Sequence, residues 1–167
     1  MRHRGRALPG RVAGTWQRLG LRWCPWFYRD PWFYGALLAG LGFWLGLWLA
    51  VPIRPLTLSK ILSPAFFLLV VGHPALEEVL FRGYLQSYCS KQPWGQRTWR
   101  GVTLANAGTA LAFTLGHLWT HPPLWALAVL APALVFGYSR ERYASLYPGL
   151  LLHIFYNAGY FALVGLP

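Results

Sequence analysis

Acid is what this chain has least of. Four carboxylates (Asp30, Glu77, Glu78 and Glu141) stand against fifteen lysines and arginines, and charged residues make up only 11% of the sequence. A soluble domain carries about a quarter charged residues, so a water-borne globule is excluded and a membrane protein is expected. Cysteine is also scarce. Cys24 and Cys89 share no ligand spacing with each other or with a histidine, which excludes a disulfide framework and a zinc knuckle. Cys24 lies beside the start of an apolar run, a place where acylation occurs, but an inert thiol is the simpler expectation. Internal repeats and low-complexity segments are missing, and so is the ten-residue alternation of a transmembrane barrel.

What is present is apolar and aromatic. Of 167 residues, 56% are hydrophobic and 17% aromatic, and mean hydropathy is +0.36. The length suits one domain. A net charge of +11 raises the possibility of a nucleic-acid partner. The cations, however, lie in an N-terminal arm and between apolar runs, as membrane insertion demands, so nucleic acid is set aside.

Residues 1–30 carry Arg2, Arg4, Arg6, Arg11, Arg18, Arg22 and Arg29, then Trp23, Trp26, Phe27 and Tyr28. The basic region is too long for a cleavable signal and no small-residue cleavage site follows, so the stretch reads as a basic cytoplasmic arm ending in an interfacial aromatic belt. Residues 31–167 then form one membrane-embedded helical domain. Apolar stretches at 31–51, 59–89, 101–119, 124–139 and 145–166 predict an all-α polytopic bundle of about five transmembrane helices. Gly42 and Gly46 make a GxxxG, expected to be a close-packing face. Pro74 is expected to break or kink the second stretch near Gly72-His73. With the N-terminus inside, twelve cations fall inside and only Arg54 and Lys60 outside, leaving Arg82 within the second stretch. The opposite orientation inverts that ratio, so N-inside is favoured. The stretch 59–72 is either part of a span or a re-entrant piece.

Polar residues inside this apolar frame are few and they share a depth. Glu77 lies fourteen residues before Lys91, about 21 Å from that boundary. His117 lies about 25 Å beyond Arg100, and His153 and Asn157 about 16 and 22 Å beyond Arg142. Three helices thus bring polar groups to one level, past the midplane of a core about 30 Å thick. Spacing adds direction. Glu78 and Arg82 are i and i+4 and can pair, whereas Glu77 is turned about 100° away. His153 and Asn157 share a face in the same way, and Phe113 forms an apolar wall one turn from His117.

An ionisable group in hydrocarbon is costly enough to be a functional candidate by default. Glu77 in a partly dry cleft suits a general base that drives water, held against His117, onto a carbonyl. His153 and Asn157 suit donors to the oxyanion that forms. Glu78 with Arg82 suits the supporting ion pair, although buried pairs also serve packing alone. His73 and His121 are assigned to structure. A metal reading places Glu77, His117 and His153 as three ligands with an open fourth position. Against it stand the lack of HExxH and the presence of an extra amide and an unshared glutamate.

These residues carry a resemblance. Glu77-Glu78-x-x-x-Arg82, Phe113-x-x-x-His117 and His153-x-x-x-Asn157 resemble, in order, the three motifs of the CPBP family, the CAAX-protease and bacteriocin-processing (Abi) proteins. Phe81-Arg82-Gly83 matches the usual continuation of the first motif, and the likeness covers about residues 60–165. It implies an intramembrane glutamic-type endopeptidase with no metal and no other cofactor, set in the lipid bilayer of a prokaryotic plasma membrane. Glu77 and His117 would activate water, His153 and Asn157 would hold the oxyanion, and Glu78, Arg82 and Phe113 would support them. Its partner would be a membrane-tethered protein or peptide, cut near its C-terminus. Compact family members similar to this chain are linked to trimming C-terminal sorting tails. The chain is short for the family, and the basic arm lies outside the likeness. Two other classes remain beside it: a non-catalytic immunity or binding protein of the same fold, and an ion pathway built on the same acids.

Overall fold

An uncharged run that must satisfy its own backbone in hydrocarbon has one local solution, the helix, and residues 31–50 adopt it. The structure is a computed structural model that describes residues 15–50, 52–53 and 56–166. Residues 1–14 of the basic arm, and Arg54 in the cation count, lie outside the described residues. The long helices are α1 (Pro31–Ala50), α2 (Pro64–Cys89), α3 (Leu104–His117), α4 (Pro123–Tyr143) and α5 (Tyr147–Val164). α4 packs on α3 and α5, α5 on α1, and α2 lies against α3, α4 and α5. The expected helical bundle is therefore present. α1, α2 and α4 are each long and apolar enough to cross a membrane. α3 has 14 residues, about 21 Å at 1.5 Å per residue. α5 has 18 residues and carries His153 and Asn157 in its middle. The only sheet among the described residues is an antiparallel pair, β1 (Thr98–Trp99) and β2 (Val102–Thr103), turning through Arg100 and Gly101 at positive φ.

Of the break or kink expected near Gly72-His73, the break does not occur: α2 runs through Pro74, with its winding altered just ahead of the ring. In a regular helix the proline ring collides with the carbonyl four residues earlier and removes a donor. Here Leu68–Gly72 winds as a π-helix, with the His73 N–H donating to Leu68 O, five residues back. The wider turn carries the chain past the proline. One carbonyl is left over, Leu69 O, because its donor at that spacing would be the proline nitrogen. The Nδ2 amide of Asn157 on α5 supplies the missing bond at 3.2 Å. A second π segment, Glu78–Gln86, follows directly. α4 is interrupted at Val129 for a related reason, since the ring of Pro132 obstructs the carbonyl of Ala128.

The GxxxG expectation is also corrected. A Cβ built on Gly42 or Gly46 meets no atom within 4 Å. The close approach to α5 is made instead at Gly40, against Tyr156, and at Gly159, against the ring of Trp44. Two residues of helix turn a side chain by about 200°, so a face centred on Gly40 cannot include Gly42.

At the end of the bundle that bears the cations, the chain ahead of α1 folds back onto the α4–α5 turn. The N–H of Leu146 donates to Gly20 O at 2.9 Å, and the Ser145 hydroxyl donates to Arg22 O at 2.7 Å. Asp30 caps α1 through the Trp32 N–H at 3.1 Å. It also accepts from Arg142 Nη2 and from the Tyr143 hydroxyl, each at 3.0 Å. The Arg142 guanidinium holds the Asp30 carboxyl down at about 2. Around this acid Cys24, Phe27, Phe33, Tyr143 and Leu152 form an apolar, largely aromatic core. Cys24 is buried in it as a free thiol.

Candidate active site

The site grows from one stripe of α2. Glu78, Arg82 and Gln86 recur every fourth residue and all three are buried. Arg82 and Gln86 meet successive levels of α4. Arg82 Nη2 donates to Ala133 O at 3.2 Å, and Gln86 Nε2 donates to Gly137 O and Glu141 Oε1, both at 2.9 Å. Arg82 Nη1 lies 3.2 Å from Glu78 Oε1, so the predicted i,i+4 pair is formed. Its guanidinium also lies over the rings of Phe113 and Phe136, 4.5 and 5.4 Å from their centroids. A cation in an apolar layer is thereby held by a carboxylate, a carbonyl and two π faces.

His153 joins the two carboxylates. Its Nδ1 lies 3.0 Å from Glu78 Oε1, and its Nε2 lies 3.5 Å from Glu77 Oε2. Glu78 is buried, whereas Glu77 retains 26% of its side-chain exposure. One carboxylate therefore faces protein and the other faces outward. Phe136 stacks on the imidazole at 4.4 Å with an interplanar angle of 18°, which fixes the ring plane. A carboxylate can only accept, so the contact with Glu78 assigns the Nδ1 hydrogen, and Nε2 points at Glu77. Nε2 and Glu77 Oε2 thus face each other across the 3.5 Å contact.

His117 sits on the other side of Phe113. Phe113 lies 4.5 Å from the His117 ring and 6.0 Å from the His153 ring, centroid to centroid. His117 Nδ1 is bonded to Phe113 O at 2.9 Å, which makes Nδ1 the donor and leaves Nε2 as an acceptor. The structure thus pairs Glu77 with His153, while the hydrogen bond of His117 goes to its own helix. Asn157, one turn beyond His153, holds Leu69 O and so anchors α5 to the π turn that precedes the two acids.

Several site residues were missed in sequence. Phe136 is one, and nothing in its local pattern sets it apart from other apolar residues of α4. Gln86 was legible as the next step of the 78/82 spacing. His121, assigned to structure, stacks on Trp125 at 4.0 Å and lies 5.7 Å from the His117 ring. The Trp125 indole N–H donates to the Tyr160 hydroxyl at 2.7 Å, closing an aromatic wall beside His117. The i,i+4 relation of His117 and His121 was the available signal. Among the described residues no group of three or more His, Cys, Asp and Glu side chains is placed to hold a metal ion.

This geometry can be set beside known proteins. No curated protein and no solved structure matches the chain. A family model does match: the one described as type II CAAX prenyl endopeptidase Rce1-like aligns with residues 59–159, from just ahead of α2 to just past Asn157 on α5. Those residues are more than half of the chain, and they contain Glu77, Glu78, Arg82, His117, His153 and Asn157, so the protein belongs to the Rce1-like family of type II CAAX prenyl endopeptidases.

Proposed function

We propose that this protein is an intramembrane endopeptidase that hydrolyses a peptide bond near the C-terminus of a membrane-tethered substrate, with water activated by Glu77. The observation that carries this reading is the Glu78–His153–Glu77 series, with contacts of 3.0 and 3.5 Å. Glu78, locked by Arg82, orients the imidazole. In this reading His153 carries a hydrogen on Nε2 as well as on Nδ1, so Nε2–H is a donor and Glu77 is a carboxylate and a base.

The chemistry follows from that protonation. Glu77 takes a proton from water as the oxygen attacks the scissile carbonyl. The carbonyl oxygen becomes an oxyanion and accepts from His153 Nε2–H, with the second Nδ2 hydrogen of Asn157 as a further donor. Collapse of the tetrahedral species expels the amine, which takes its proton from the Glu77 carboxylic acid. His117 Nε2, an acceptor, positions the incoming water. The glutamate reading gives no role to a metal.

The test uses purified protein in lipid vesicles with a membrane-anchored peptide substrate, read by mass spectrometry of the released fragment. Glu77→Gln should lower the rate by about 10²–10⁴-fold, the range of a general base, with an unchanged melting temperature. Cleavage should persist in chelator. Retained cleavage in Glu77→Gln would overturn the mechanism. A substrate that binds but is never cut would point to the binding-protein reading instead.

A further inference from the structure

Behind the acids, where α2 packs against α3, α4 and the start of α5, lies a second set of polar groups that the proposed chemistry does not use. Glu78 Oε2, Arg82 Nε, Gln86 Oε1, Asn106 Oδ1, Thr109 Oγ1, Thr114 Oγ1 and Ser139 Oγ are all buried and have no protein partner. They fall in groups. Glu78 Oε2 and Ser139 Oγ flank Gly149, lying 3.4 and 3.6 Å from where its Cβ would be, with Phe136 O at 3.5 Å. Asn106 fills the space that a Cβ on Gly137 would take, and Gln86 donates to Gly137 O, so their free oxygens belong to the next level of α4. Below them Glu141 Oε1 accepts from Gln86 and from Thr103 Oγ1, the latter at 2.6 Å. Glu141 and Thr103 are part-exposed and close the series at the basic end.

A buried donor or acceptor left dry is a net loss, and this many in one seam would cancel the stability of a small domain. Internal water settles in such places when two to four polar partners surround it. We propose that the α2–α3–α4 seam is a binding site for a file of water molecules, running from Glu78 and Ser139 past Gln86, Asn106 and Thr109 to Glu141. Through it water and protons reach the buried carboxylate of Glu78 from the basic end of the bundle, without crossing the substrate-facing side at Glu77. Calling its upper end catalytic rests on the proposed function, but hydration of the seam does not.

The test therefore reads hydration without an activity assay. In a Cys89→Ser background, Ser139→Cys and Thr109→Cys are treated with methyl methanethiosulfonate in lipid discs, and modification is followed by peptide mass. Only the thiolate reacts, and it forms only in contact with water, so both thiols should be modified at least about tenfold faster than Cys24. Cys24 is also buried but sits in the aromatic core, and it serves as the internal dry reference. Rates equal to that of Cys24 at both positions would overturn the proposal. Should either variant fail to fold, an experimental structure of the unaltered chain that resolves water decides. Density beside Glu78 Oε2 and Ser139 Oγ, and beside Gln86 Oε1 and Asn106 Oδ1, is expected. A seam closed by these atoms bonding directly to one another would overturn it.

Discussion

Two carboxylate–arginine pairs of this protein sit at different levels of α4 and are built on opposite plans. Asp30 with Arg142 lies where the cations gather. Its carboxylate is capped by a backbone N–H, a guanidinium and a phenol, and Arg142 keeps 35% of its exposure. Glu78 with Arg82 lies in the apolar layer, fully enclosed, and leaves Glu78 Oε2 and Arg82 Nε without partners. The first pair has the form of a fastener, tying the arm and α1 to α4. The second is a poor fastener, because a buried ion pair is often no more stable than well-packed apolar residues of the same volume. Its distinguishing contact is His153, on the same oxygen that Arg82 approaches. A charge kept at that depth to orient an imidazole makes physical sense; one kept for cohesion does not.

Breaking the deep pair gives the largest expected stability effect. Arg82→Met leaves Glu78 buried beside an apolar side chain, and the loss of one partner from such a pair costs about 3–5 kcal/mol. The double variant Glu78→Leu/Arg82→Met should recover much of that stability while remaining inactive, since His153 then has no carboxylate on Nδ1. Denaturation of the single and double variants in one detergent, alongside cleavage, checks both halves. A double variant no more stable than Arg82→Met would show that Glu78 contributes to cohesion after all.

The sequence told these two pairs apart only in part. Glu78 and Arg82 were legible because i,i+4 spacing survives the change from α to π winding well enough to keep them in contact. The shared depth of Glu77, His117, His153 and Asn157 was legible because rise per residue is nearly constant. Which imidazole faces Glu77 was not. That depends on helix rotation, and the rotation of α2 is set by a π turn that no local pattern announces. Pro74 marked the place of the irregularity but not its form, since the expectation assumed regular winding up to the ring. Asp30, read only as one of four acids, found its partners across the fold, where spacing says nothing.

Asn157 offers a way to sharpen the contrast between holding and reacting, because it holds Leu69 O and, in the proposed reaction, also donates to the oxyanion. Asn157→Leu removes the donor to Leu69 O and should cost about 1–3 kcal/mol for a carbonyl left unpaired, together with most of the activity. Pro74→Ala restores a backbone N–H at the position from which Leu69 O lacks one. The double variant Asn157→Leu/Pro74→Ala should therefore regain stability and not activity. Melting temperature and cleavage rate measured on the same samples separate the roles. Recovery of both together would remove the amide from the oxyanion site.

The smallest effect is expected at the fastener, and it should appear as a pH dependence. Asp30 is held at about 2 against an ordinary value of 3.8. A carboxyl depressed on folding contributes stability that is fully present above its unfolded value and is lost as pH falls through the folded one. The contribution of Asp30 is therefore intact above about pH 4 and gone below about pH 2. Asp30→Asn keeps the shape and an acceptor for the Trp32 N–H but removes the charge. Its melting temperature should be modestly lower than that of the parent at neutral pH, and the two should converge as pH falls toward 2. The chain has only three other side-chain carboxyls, so few groups compete for the slope in that window. A gap that stays constant from neutral pH down to the acid limit would mean that Asp30 acts there through its hydrogen bonds alone, and not through its charge.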